Sequence, residues 1–151
     1  MPNPSTWQDW FRVGDELLSD ARALLGKSGP SRSLKRAAAQ AAEAYLKGLL
    51  AHADPGFLPR GYGHDLARLH TQVAAHWPSL APFDREVRLL QHVEFQTEGD
   101  SNGSCKVHCE SYYEPDLVQN EDEDAARVAV AEQIREAAIE AVRTQRIRRQ
   151  I

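Results

Sequence analysis

The chain has 151 residues, a formal net charge of −4, and apolar and charged fractions of 42% and 26%. These fractions are ordinary for a soluble globular protein, the charge argues against binding nucleic acid through a broad basic surface, and no apolar run approaches the ~18 residues that span a bilayer. The length suits a single domain, residues 1–151, with a real core.

The opening MPNPSTWQDW lacks a basic region followed by an apolar core, so it does not read as a secretory signal. With only two cysteines, the expected location is the cytoplasm. Charge is uneven: from Glu94 to Asp124 acids outnumber one base, Lys106, whereas the last turns carry Arg143, Arg146, Arg148 and Arg149.

In chain order, Ser5 or Thr6 can cap a first helix that runs to about Leu25. Trp10, Phe11, Gly14, Leu17, Leu18, Ala21, Leu24 and Leu25 form its apolar stripe. Gly26 to Pro30 stop it, with Gly26 suited to a left-handed terminus. A central helix follows from Pro30–Ser31 to about Asp54. In it Leu34, Ala38, Ala41, Tyr45 and Leu49 recur every three or four residues, and Ala37, Ala42, Leu46 and Leu50 widen the face. A stripe that wide predicts a helix with partners on several sides. A third helix starts at Gly63 or His64, buries Leu66, Leu69, Val73 and Trp77, and stops at Pro78. A fourth starts near Pro82 with Phe83, Val87 and Leu90 inward. The stretch HVEFQTEGDSNGSCKVHCESYYEP then alternates apolar and polar residues around GDSNG, which reads as a β-hairpin or an irregular polar loop over about 93–118. The last helix opens in the acidic run Glu121–Asp124 and ends among the arginines, both favourable to its dipole. The expectation is an all-α, up-and-down bundle of four or five helices.

Gln40-Ala41-Ala42-Glu43, Leu46-Lys47 and Leu49-Leu50, followed by His64-Asp65-Leu66 with Leu69, carry a family likeness. The pattern resembles the HEPN domain (higher eukaryotes and prokaryotes nucleotide-binding domain), usually written QAAEKALKALL followed by THDL. The opening WQDWFRVGDELLSDARALL also looks like that family's first helix, so the likeness covers roughly residues 5–77. Ala44 and Gly63 depart from the pattern. Tyr112 and Tyr113 before Glu114-Pro115-Asp116 look like the family's RYPD-type segment. The resemblance implies a helical bundle that pairs with itself, and a minimal nucleotidyltransferase of a toxin–antitoxin-like operon as partner.

Three sets of residues could carry chemistry. His64 and Asp65, with Arg60 assisting, could hold a nucleotide or phosphate where a helix start offers unpaired amides. The structural alternative is that His64 caps the helix and Asp65 offsets its dipole. Arg85 and His92 fit the R-x4–6-H motif of the family's ribonucleases, with EVRLLQ between them. Arginine can grip a phosphate bidentately and histidine can transfer protons near neutral pH, although seven residues separate them by roughly 10 Å along a helix. Glu86 beside them would repel a phosphate. Cys105, His108 and Cys109, with His92, are the remaining metal-ligand types, but they lack the two separated pairs of a usual zinc site. No metal and no cofactor are expected. The reading that follows is a dimeric, nucleotide-binding HEPN-like module, non-catalytic or weakly active. The alternatives are a metal-independent ribonuclease using Arg85 and His92, and a generic helical interaction domain.

Overall fold

The computed structural model describes residues 6–26, 32–54, 56–57, 64–98 and 121–150, and only the backbone of 92–98, 121–122 and 146–150. Five α-helices and no strand occur among them: α1 (Trp7–Leu24), α2 (Arg32–Ala53), α3 (Leu66–His76), α4 (Asp84–Glu98) and α5 (Glu121–Gln150). A 3-10 segment, Pro78–Phe83, joins α3 to α4. The all-α bundle expected from the apolar periodicity is what forms.

Local chemistry sets the boundaries. The Thr6 hydroxyl accepts the Asp9 amide at 3.1 Å and caps α1. Gly26, at φ 76°, takes the left-handed turn that ends it. The α3 cap is Asp65 rather than His64, and the helix begins at Leu66, two or three residues later than the expected start at Gly63 or His64. Pro78 and Pro82 lack amide protons, and the chain between them winds as a tight 3-10 segment before α4 begins at Asp84. The α4 helix then runs through Glu98, so residues 93–98 are helical and not the first strand of a hairpin. Val93, Glu94 and Phe95 alternate in polarity, but the Glu- and Gln-containing run they open has ordinary helix propensity and simply prolongs α4. Residues 99–118, the rest of the expected hairpin, lie outside the described residues.

The α2 helix is the axis of the bundle. It packs against α1, α3, α4 and α5, and every residue from Ala41 to Leu50 is buried. Leu46, Leu49, Leu66, Leu69, Leu90 and Ile134 meet in one core, each no more than 1% exposed. Burying a side chain of this size contributes about 1.5–3 kcal/mol. The α1–α2 contact is the most extensive. A Cβ on Gly14 would lie 2.6 Å from the Tyr45 ring, and one on Gly48 would lie 2.6 Å from the Phe11 ring. Each glycine is therefore a socket for an aromatic ring of the other helix. Phe11 meets Tyr45 edge to face at 5.7 Å and Trp7 at 5.4 Å.

A polar bridge ties three helices. The buried Tyr45 hydroxyl of α2 donates to Asp15 Oδ1 of α1 at 2.6 Å, and Arg135 Nε of α5 donates to the same oxygen at 2.8 Å. Burial and the Asp15 carboxylate hold the Tyr45 phenol neutral well above its usual range.

Candidate functional site

On α2, Glu43 and Lys47 stand one turn apart in an otherwise apolar run. Lys47 Nζ donates to Glu43 Oε2 at 3.0 Å, and both side chains are buried, at 8% and 9% exposure. The lysine ammonium also lies 5.4 Å from the centre of the Trp10 ring of α1. The second carboxylate oxygen, Oε1, faces the segment that leads into α3. There His64 Nδ1 approaches it to 2.5 Å. The carboxylate can only accept, so Nδ1 is the ring nitrogen that carries the proton. Nε2 is then the acceptor of the neutral ring and a donor once the ring is charged. At 37% exposure, the imidazole is the member of the group that solvent reaches.

The neighbouring helix start is already occupied. Asp65 Oδ1 accepts the Arg68 amide at 3.1 Å, the Ala67 amide donates to Gln91 Oε1 of α4, and the Asp65 carbonyl takes the Leu69 amide at 3.0 Å. Three of the first amides of α3 are thus spent on the fold. Of the three residues proposed for that role, His64 contacts Glu43, Asp65 is the cap, and Arg60 lies outside the described residues. His70 is structural too: it is buried, with Nε2 2.7 Å from the Leu80 carbonyl, tying α3 to the 3-10 segment.

Arg85 is exposed in the first turn of α4, whereas Val87 and Leu90 supply that helix's buried face. Arg88 pairs with Asp84 at 3.2 Å. His92 belongs to the same helix, and its side chain lies outside the described residues. So do Cys105, His108 and Cys109, and no cluster of metal-ligating side chains occurs among the described residues. No described helix is long and apolar enough to cross a membrane.

A second buried charge group escaped the sequence reading. Lys35 of α2 and Asp124 and Arg127 of α5 are all buried. Arg127 Nη2 donates to Glu123 at 3.2 Å, but its Nε and Nη1 find no hydrogen-bond partner among the described residues. Burial and then the Arg127 charge lower the Lys35 pKa, against the opposing pull of Asp124 and Glu123. Nothing in the local sequence marks Lys35 or Arg127 as interior. Glu43 and Lys47 did leave a signal: a Glu→Lys pair four apart, inside a run of alanines and leucines. No family model matches this chain, and no curated protein or solved structure matches it either.

Proposed function

We propose that this chain is a HEPN-like helical module without ribonuclease activity of its own. It pairs with itself and with a minimal nucleotidyltransferase, and it presents His64 to a nucleotide. One observation supports this reading above the others. The two halves of the resemblance, QAAE on α2 and HDL before α3, meet through the Glu43–His64 contact. A buried carboxylate, itself neutralised by Lys47, holds the imidazole in one orientation at the surface. An imidazole can hydrogen-bond a phosphate oxygen or a base, and at 37% exposure this one is within reach of solvent. The ribonuclease alternative has only the spacing of Arg85 and His92 behind it.

The test is an NMR titration of the imidazole 1H–15N signals with AMP, ATP and inorganic phosphate. A nucleotide is expected to move the His64 Nε2 resonance selectively, and His64→Gln is expected to abolish binding while keeping the fold. An unmoved His64 signal at millimolar nucleotide would refute the reading.

A further inference from the structure

Glu43 has one negative charge and two basic neighbours. Lys47 takes Oε2 at 3.0 Å from within α2, and the His64 ring takes Oε1 at 2.5 Å from the chain entering α3. A second cation against one buried carboxylate meets the repulsion of the first, where water screens poorly. Lys47 and His64 therefore compete for the same charge.

The geometry favours the lysine. Its side chain is 8% exposed, and its ammonium lies 5.4 Å from the centre of the Trp10 ring, whose π face attracts a cation. A neutral amine there would forfeit both the ion pair and the cation–π contact. The imidazole forfeits no hydrogen bond to Glu43 by staying uncharged, because its Nδ1–H donates in either form. The other elements add little charge. Asp65 and Arg68, on the ring's own segment, are exposed, and Asp65 Oδ1 is taken by the Arg68 amide. From α4 the uncharged Gln91 reaches this turn, bonded to the Ala67 amide, and Arg88 pairs with Asp84.

We propose that Lys47 is a positioning residue for His64: it keeps the positive charge of the group buried, so that the exposed ring meets its ligand as an uncharged hydrogen-bonding group. This rests on the nucleotide reading above and narrows it. An uncharged imidazole has no charge with which to hold a phosphate, and its hydrogen bonding suits a neutral partner. The part of a nucleotide that His64 takes is therefore the base.

Imidazole 1H–15N spectra followed through pH test this in the wild type, Lys47→Met, Lys47→Gln and Lys47→Arg, with circular dichroism to confirm helix content. The two neutral replacements leave Glu43 to His64 alone. Both are expected to raise the midpoint of the His64 titration by about one pH unit or more. Lys47→Arg keeps the charge and is expected to stay near the wild type, a split that lost packing at residue 47 would not produce. Near neutral pH, adenosine is expected to move the wild-type His64 signals and inorganic phosphate to leave them in place. A midpoint unmoved by both neutral variants, or raised as far by Lys47→Arg, would overturn the role of Lys47. Phosphate moving the His64 signals as far as adenosine would overturn the ligand class. If adenosine, AMP and ATP all leave His64 unmoved, the nucleotide reading fails and the ligand class with it, while the titration still decides the role of Lys47.

Discussion

Glu43→Ala is expected to destabilise the protein more than Lys47→Met, although the two side chains form one ion pair. The asymmetry comes from their other partners. With Glu43 gone, the Lys47 ammonium is left 8% exposed, with the Trp10 ring as its one remaining partner among the described residues. A cation–π contact contributes about 0.5–2 kcal/mol, whereas leaving a buried charge unpaired costs about 3–5 kcal/mol. With Lys47 replaced, Glu43 still has the His64 Nδ1 proton at 2.5 Å, and Met fills the volume of the lysine stem. That change should cost about 1.5–3 kcal/mol, the contribution of one hydrogen bond to a charged group. The double variant strands no ammonium, so it should be more stable than Glu43→Ala alone. Urea unfolding followed by circular dichroism reads all three. A loss of about 4 kcal/mol at a slope of about 2 kcal/mol per molar moves the midpoint by on the order of 2 M. A Glu43→Ala loss below about 1 kcal/mol, or a double variant weaker than Glu43→Ala, would refute the reasoning.

Two further outcomes follow from the α1–α2 contact. Gly48→Ala gains about 1 kcal/mol of helix propensity, but its new methyl meets the Phe11 ring at 2.6 Å and Trp10 Cβ at 3.1 Å. Overpacking of about 1–3 kcal/mol should win and lower the melting temperature; a rise would show that the ring yields freely. Tyr45 ionises in the unfolded chain near its ordinary pKa of 10.0 but is held neutral above that when folded. Its contribution is therefore fully present below pH 10 and is lost as pH rises further, because the unfolded chain releases a proton that the folded one keeps. The urea midpoint of the wild type should fall more steeply above pH 10 than that of Tyr45→Phe, and equal slopes would refute the assignment.

The helical part of this fold is legible because its signals are local. The alanine and leucine repeat of α2, the Thr6 cap and the Gly26 stop each act within a few residues. The end of α4 is less legible, since Val93-Glu94-Phe95 satisfies the alternation of a strand as well as it satisfies a helix. The site is less legible still. His64 is visible beside Asp65, but its partner Glu43 lies 21 residues earlier, and the Glu43–Lys47 spacing in sequence marks a helix pair without showing that it joins His64. Only the packing of Trp10 of α1 over Lys47 and the return of the chain at His64 turn that pair inward. Lys35 and Arg127 become interior for the same kind of reason, through the meeting of α2 and α5.

The shared Asp15 oxygen also says something about the order in which the bundle can come apart. Tyr45 and Arg135 hold that oxygen from sites 30 and 120 residues away in sequence. The first partner comes from the adjacent helix, closed through a short connection; the second requires nearly the whole chain to return. If α5 lifts away, Asp15 keeps its bond to Tyr45, and the aromatic sockets at Gly14 and Gly48 remain filled. The α1–α2 pair can thus persist as a preformed cradle, while α5 behaves as a detachable strut whose docking completes the bundle.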